Sequence, residues 1–442
     1  MPLKIGMISL GCPKNQVNAE RMLALITNAG MEIADDLDGA DAVIVNTCGF
    51  IDDAKREAIE SILEVVELKK QGLVGAVIAA GCLAERYRGE MMEEIPELDA
   101  VLGLGANEAI VDHIKTVCAG DRAVAFPDLG CLPLSGERLR TTPAHWAYLQ
   151  IADGCSNHCT YCKIPSIRGR YRSRPMDDII TEAKQLAADG VKELILIAQD
   201  TTRYGGDLPE KTTLAELLRH LCGIDGILWI RLLYAYPDAV TDELIDVIAA
   251  QPKIVKYIDL PLQHADDAIL SAMGRRGTQA ELRTLIAKLR ERVRGIAIRT
   301  TFITGFPGED EESFAQLAAF VRDMRFEKLG VFAFSPQDGT PAYALEPQVP
   351  AQTAAARAEN LMQLQNRIVL EQTRARIGQT FAVVVENYDN YTDSYQGRCM
   401  FDAPDIDNVI YLTSAAPLDD GDFVNAVVLG ERDGDLLGRV CE

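Results

Sequence analysis

The sequence predicts an α/β protein in three parts: an N-terminal doubly wound parallel sheet, a central (βα) barrel and a small all-β barrel at the C-terminus. Three observations carry that expectation. Strand and helix signals alternate over residues 1–125, they alternate again from about His145 to Phe334, and after Gly378 only short strands between turns remain. Alternating β and α elements make parallel sheets covered by helices, whereas short strands set apart by Asp-Asn and Asp-Gly turns make small barrels. The expected boundaries are 1–125 for the first domain, 126–142 for a linker, 143–375 for the central barrel and 376–442 for the last.

In the first domain, Lys4–Leu10 reads as a strand and Asn18–Ala29 has helical periodicity. Ala42–Asn46 is a short apolar run bounded by turns, Asp52–Lys70 a long amphipathic helix with two acids at its start, and Ala76–Ala80 a second buried strand. Phe126-Pro127, Gly130, Pro133 and Gly136 mark the linker. The central segment offers strands near 147–151, 193–198, 228–233, 257–260, 296–303 and 328–334, with helices between them. About six βα units fit a partial or a full barrel. A long helix over Ala351–Ala375 leads to strands at Thr380–Glu386, Val409–Leu412 and Phe423–Leu429.

Bulk properties narrow the classes. Hydrophobic residues make up 48% of the 442 and charged ones 25%, an ordinary globular composition. No run of 18 apolar residues spans a membrane, and Met1–Leu10 lacks the apolar region and cleavage site of a signal peptide. The expected location is the cytoplasm, where disulfides are rare, so the 11 cysteines point to metal ligation or catalysis. A net charge of −22 disfavours loose nucleic-acid binding and favours a basic partner or plain solubility.

Two cysteine sets stand out. Cys12, Cys48 and Cys82 each follow the C-terminal end of a predicted strand, where open parallel sheets bind ligands. Taken singly, each reads first as a small buried apolar residue; together, they are placed to converge on one crevice. The second set is Cys155-Ser156-Asn157-His158-Cys159-Thr160-Tyr161-Cys162, after the first strand of the central barrel. Three thiolates this close suit three corners of an iron–sulfur cluster, and without a fourth nearby cysteine one iron stays open. A zinc site with His158 as fourth ligand is the alternative. The C-x3-C-x2-C spacing resembles the radical S-adenosylmethionine superfamily, in which the cofactor chelates the open iron and is cleaved to a 5′-deoxyadenosyl radical. Cys155, Cys159 and Cys162 are therefore the candidate catalytic set.

Further candidates lie at the barrel rim. Ile303-Thr304-Gly305-Phe306-Pro307-Gly308-Glu309 follows a strand, and its glycines let backbone approach a ligand or simply form a tight turn. In radical enzymes of this type a similar segment lies beside the cofactor, making Gly305, Gly308 and Glu309 candidates for its binding. Gln199-Asp200 and Gln263-His264 are rim groups or helix caps; Tyr161 is placed to stack on adenine or to pack. Arg168, Arg170, Arg172 and Arg174 form an alternating basic run, fit to meet carboxylate or phosphate or to lie solvated against the protein's own acid.

With both cysteine sets in view, the chain resembles the methylthiotransferases nearly end to end. The matches are Cys12, Cys48 and Cys82, the 155–162 loop, and Tyr257-Ile-Asp-Leu-Pro-Leu-Gln-His264. The resemblance implies an N-terminal methylthiotransferase domain with a second 4Fe–4S cluster on Cys12, Cys48 and Cys82, a radical S-adenosylmethionine barrel and a C-terminal TRAM barrel. In the family the auxiliary cluster supplies or carries sulfur, and both clusters face one substrate cavity. Gly11-Cys12-Pro13-Lys14-Asn15, Asn46-Thr-Cys-Gly-Phe50 and Gln199-Asp-Thr-Thr-Arg-Tyr-Gly205 look like the branch that modifies an aspartate of small-subunit ribosomal protein twelve. Transfer-RNA branches usually read a polar residue after the first cysteine. The resemblance names no sulfur donor and no electron donor.

Charge supplies an independent argument. Residues 378–442 hold 13 acids against 3 bases, with no lysine. An RNA-binding barrel is instead basic with exposed aromatics, while an acidic one can steer a basic ribosomal protein. Three acidic clusters are candidate contacts: Asp402/Asp405/Asp407, Asp419/Asp420/Asp422 and Glu431/Asp433/Asp435. The rival readings are a transfer-RNA methylthiotransferase, and a non-catalytic iron–sulfur redox protein, which has no need of an S-adenosylmethionine pocket.

Overall fold

The computed structural model describes residues 1–441. The chain folds as two compact units: residues 1–142 with 150–158 and 162–174, and residues 143–149 and 159–161 with the chain from 175 onward. In the first unit β1 (Lys4–Ser9), β2 (Glu32–Ile33), β3 (Ala40–Thr47), β4 (Val74–Gly81), β5 (Ala100–Leu102) and β6 (Ala123–Ala125) form a parallel sheet in the order β2-β1-β3-β4-β5-β6. β3 and β4 are buried on both faces over most of their length, which is why each carries a continuous apolar run, Ala42–Val45 and Ala76–Ala80. Alternate residues serve opposite faces. Ile44 and Ile78 join Met22, Ile26 and Ile114 in one core, while Val43, Val45 and Val77 join Ile62, Val65 and Leu83 in another. Two cores on two faces make the doubly wound arrangement that the sequence predicts.

The first helix, Pro13–Asn28, begins five residues before the expected Asn18, because Cys12 occupies its N-cap and Pro13, with φ already near the helical value, opens the first turn. The segment read as a linker is tied down. Buried Glu20 pairs with Arg138 at 3.0 Å and accepts the Thr141 amide at 2.9 Å.

β7 (Trp146–Gln150) starts the second sheet. β8 (Ala152–Asp153) and β9 (Arg172–Ser173) pair antiparallel and close residues 154–171 into a loop. β10 (Glu193–Ile197), β11 (Trp229–Leu232), β12 (Ile254–Asp259), β13 (Ala297–Thr304) and β14 (Lys328–Ala333) complete a sheet in the order β14-β13-β12-β11-β10-β7. Among the described residues this sheet does not close, so the repeat takes the partial form. β15 (Thr380–Asp389), β16 (Ser394–Cys399), β17 (Ile410–Thr413), β18 (Phe423–Arg432) and β19 (Asp435–Val440) form a closed barrel in the order β15-β16-β17-β19-β18.

Buried ion pairs fasten this barrel to the second sheet. Glu193 accepts from Arg231 at 2.8 Å on one oxygen and from Arg398 at 2.6 Å on the other. Arg398 also reaches Glu386, which pairs with His145 at 2.9 Å. Asp402 pairs with Lys328 at 2.6 Å, and Asp407 accepts from the Tyr257 hydroxyl at 2.8 Å. These contacts correct one expectation. Asp402 and Asp407 are not surface acids waiting for a basic partner; the side chains are about 4% and 3% exposed and already answered by a cation or hydroxyl of the sheet. Of that cluster only Asp405 is exposed.

Candidate functional site

In the first unit, Cys48 and Cys82 follow β3 and β4 directly and Cys12 follows β1 after Leu10 and Gly11, all at the carboxyl edge of the sheet. Side chains of the same turns lock them in place. The Asn15 amide donates to the carbonyls of Leu10 at 2.7 Å and Thr47 at 3.3 Å, and the Asn46 amide donates to the Asn15 carbonyl at 2.9 Å. The Thr47 hydroxyl donates to the Ala80 carbonyl at 2.6 Å and accepts the Leu83 amide at 3.2 Å. Gly11 has φ +92°, and a Cβ there would lie 3.0 Å from the Cys48 sulfur, so only glycine lets the first and second turns approach.

The three thiols share one field. Burial is the largest influence on Cys82 and pushes it up to about 11, against the pull of Arg168. Burial also raises Cys48. For Cys12 burial is again the largest influence, yet Lys14, Arg168 and the amides of Asn15 and Lys14 together hold the thiol below its ordinary value. Cys82 feels the charges of both Cys12 and Cys48. No three His, Cys, Asp or Glu side chains among the described residues close round a single ion. A cluster asks for something else, thiolates at its corners, and an all-thiol donor set on three adjacent turns fits that demand. A cavity of about 460 Å³ opens beside Cys12, lined by Leu10, Gly11, Gln16 and Thr141.

The basic run is not a solvated loop. Arg168 is 1% exposed, donates to both Asp153 oxygens at 3.2 Å, and reaches the Cys82 sulfur at 3.5 Å. Arg172 donates to the Gly130 carbonyl at 2.9 Å and Arg174 to that of Gln150 at 2.7 Å. Only Arg170 is exposed. Cys155 and Cys162 belong to this unit; the Cys155 amide donates to the Gly169 carbonyl at 3.1 Å, and Gly154, at φ +76°, admits Arg170 where a Cβ would meet its carbonyl oxygen at 2.1 Å.

In the second unit, Cys159 has two neighbours that sequence reasoning missed. The Tyr236 hydroxyl lies 3.4 Å from its sulfur, and Arg275 lies 4.0 Å from it while stacking on the Tyr236 ring at 3.8 Å. Neither carries a local signal: Tyr236 follows β11, Arg275 sits in a turn, and only the fold brings them together. Tyr161 packs edge-on against Phe306 at 6.5 Å, beside Met273 and Ala342.

The 303–309 segment divides its residues between two tasks. Gly308, at φ +86°, faces open space. Gly305, at φ +74°, does not; a Cβ there would meet the Ala354 Cβ at 2.1 Å, so the helix Ala351–Ala375 by itself requires glycine there. Glu309 is 4% exposed with both oxygens engaged: one accepts the Gly305 amide at 2.9 Å and Arg357 at 2.7 Å, and the other faces His264 at 3.2 Å. Gly305 and Glu309 thus brace the turn against the helix Ala351–Ala375, and His264 braces with them. Asp200 is a cap, accepting the Thr202 amide at 3.1 Å, while Gln199 stays half-buried two residues beyond β10.

Residues 149–321 match the radical SAM superfamily, residues 4–103 the "Uncharacterized protein family UPF0004" and residues 377–441 the TRAM domain. A protein of Lachnoclostridium phytofermentans named ribosomal protein uS12 methylthiotransferase RimO is 48% identical over 437 residues, 99% of each chain. One of the same name from Thermoanaerobacter sp. is 46% identical over 98% of this chain and 99% of that one. Among solved structures, the radical S-adenosylmethionine methyltransferase TsrM of Kitasatospora setae, with cobalamin and a 4Fe–4S cluster bound, superposes with a TM-score of 0.57 over 77% of each chain at 16% identity. At that identity the likeness concerns the fold alone.

Proposed function

The chain belongs to the uS12 methylthiotransferases of the radical S-adenosylmethionine superfamily, and we propose that it replaces a C–H bond with C–SCH3 at the β-carbon of an aspartate in ribosomal protein uS12, using two three-cysteine 4Fe–4S clusters. The observation that carries this reading is full-length identity to proteins of that name in a chain with two separate cysteine sets at strand ends. It works with S-adenosylmethionine and iron–sulfur chemistry. With a cluster held by Cys155, Cys159 and Cys162, that cofactor would supply radical chemistry, which suits a C–H bond with no acidic proton to lose to a base.

The chain's own residues bind, hold and exclude. Cys155, Cys159 and Cys162 ligate the radical cluster. Once Cys159 is a thiolate ligand its sulfur can only accept, so the Tyr236 hydroxyl and Arg275 would donate to it and help orient it. Tyr161 lies beside the apolar group of Phe306 and Met273, which keeps water from that side of the loop. Gly308 leaves open space beside its Cα, and Gln199 brings a side-chain amide, for the cofactor. Cys12, Cys48 and Cys82 ligate the auxiliary cluster and with it the sulfur function. The work divides by domain: 1–125 for sulfur, 143–375 for the radical and 376–442 for capture of the basic substrate. A ribosomal substrate puts the enzyme in the cytoplasm; no described helix is long and apolar enough to cross a membrane.

Mass spectrometry of uS12 from a deletion strain tests the substrate. Loss of the methylthio group, and its return with the gene, is expected; unmodified transfer RNA beside intact uS12 would overturn the reading. Iron analysis tests the cofactors. Anaerobically reconstituted protein should hold about eight irons, and the Cys155→Ala/Cys159→Ala/Cys162→Ala chain about half. A folded variant that keeps all its iron, or loses all of it, rules out two clusters.

A further inference from the structure

Arg168 stands where the fold has little reason to spend a buried charge. It ends the short helix Ile164–Arg168, six residues after Cys162. Its guanidinium splits its donors: one nitrogen serves both oxygens of Asp153 at 3.2 Å, and the other points at the Cys82 sulfur and the Asn15 side-chain oxygen, each at 3.5 Å. Arg168 and Asp153 are 1% and 0% exposed. If the pair served only to close the loop, β8–β9 pairing and the Cys155–Gly169 hydrogen bond already do so. A buried ion pair is also weak evidence for stability, since desolvation offsets its attraction.

We propose that Arg168 is the positioning and charge-balancing residue of the Cys12/Cys48/Cys82 site, holding Cys82 by a charge-assisted hydrogen bond and raising the reduction potential of the cluster ligated there. The inference rests on the reading that these cysteines hold a cluster. Its physical basis is simple. Three thiolates bring three negative charges into a buried crevice, and one-electron reduction adds another. A permanent cation 3.5 Å from one sulfur favours the more negative, reduced form, and arginine cannot shed its charge to escape. Arg168 also interacts with the charges of all three thiols, beyond the one it touches. Asp153 opposes it, so the crevice sees the difference between a near cation and a farther anion. The potential of the sulfur-bearing cluster is thereby linked to a residue on the segment that follows the radical motif.

The test uses the full-length Cys155→Ala/Cys159→Ala/Cys162→Ala chain, which retains a single cluster, and titrates the reduced cluster's EPR signal with dithionite and mediators. Arg168→Met should lower the midpoint, so that at the parent's midpoint the reduced-to-oxidised ratio falls about tenfold, or 59 mV for one electron. Arg168→Lys should lower it less. Asp153→Asn should raise it. A purely structural pair would behave differently: either single variant breaks the same bond, so shifts of the same sign, or none, overturn the proposal. Should Arg168→Met fail to fold, Arg168→Met/Asp153→Asn removes both buried charges, and its midpoint should fall below that of Asp153→Asn alone; equality overturns the proposal. A parent that binds no iron overturns the cluster reading itself and this inference with it, whereas bound iron with unmoved midpoints overturns the inference alone.

Discussion

Gly305 and Gly308 lie in one loop and are glycine for different reasons. Both have positive φ, +74° and +86°, which costs a residue with a side chain about 1–2 kcal/mol. At Gly308 that is the whole cost, because nothing lies within 4 Å of a new Cβ. At Gly305 a Cβ collides with Ala354 of a long helix, and overpacking adds roughly 1–3 kcal/mol. Gly305→Ala should therefore lose about twice the stability of Gly308→Ala in chemical denaturation, while Gly308→Ala should weaken S-adenosylmethionine binding more than its small stability loss explains. Equal losses in both assays would mean that neither glycine is doing what its surroundings indicate.

At the scale of elements, the contact of β10 and β11 with the C-terminal barrel turns on Glu193. Burial, the largest influence, raises its pKa, but Arg398 and Arg231 outweigh it and hold the carboxyl below its usual range. Glu193→Ala leaves two buried guanidinium groups short of a partner, a loss on the order of 3–5 kcal/mol, and hydrogen exchange should report it first in β15 and β16. The pH dependence has a definite sign. A carboxyl depressed in the folded state adds stability above its unfolded pKa of about 4.3 and loses it as pH falls through the lower folded value. The barrel should loosen below about pH 4 in the parent, and the Glu193→Gln chain should lack that part of the transition. An acid transition of unchanged size in Glu193→Gln would assign it to other carboxyls.

Across the whole molecule, the net charge of −22 is unevenly spread and unevenly available. The C-terminal barrel holds 13 acids, but Asp402, Asp407, Glu386 and Glu431 are committed to cations or hydroxyls of the same unit. Asp419, Asp420 and Asp433 are exposed. Exposed charge acts mainly on association rate and is screened over about 8–10 Å at physiological salt. Converting Asp419, Asp420 and Asp433 to Asn should slow binding of uS12 severalfold at low salt and flatten its salt dependence, with folding stability nearly unchanged. Asp402→Asn should do the reverse, lowering stability with little effect on association. If the exposed set binds as fast as the parent at low salt, the barrel's acidity serves solubility.

The sequence by itself determined the fold class, the strand ends that carry Cys12, Cys48 and Cys82, and two long helices to the residue, Asp52–Lys70 and Ala351–Ala375. These are local properties: apolar periodicity, acids in the first turn, as at Asp52 and Asp53, and thiols at short fixed spacing. Strands β16 and β19 were illegible because half-polar strands crossed by Gly397 and Gly438 have no apolar run; they exist because the barrel closes on them. Only the tertiary structure decided which charges are partners. Arg168 and Cys82 are 86 residues apart, and Arg398 and Glu193 are 205. A sequence displays a charge but not what faces it, so Asp402 and Asp420 look alike until folding buries one beside Lys328 and leaves the other in water.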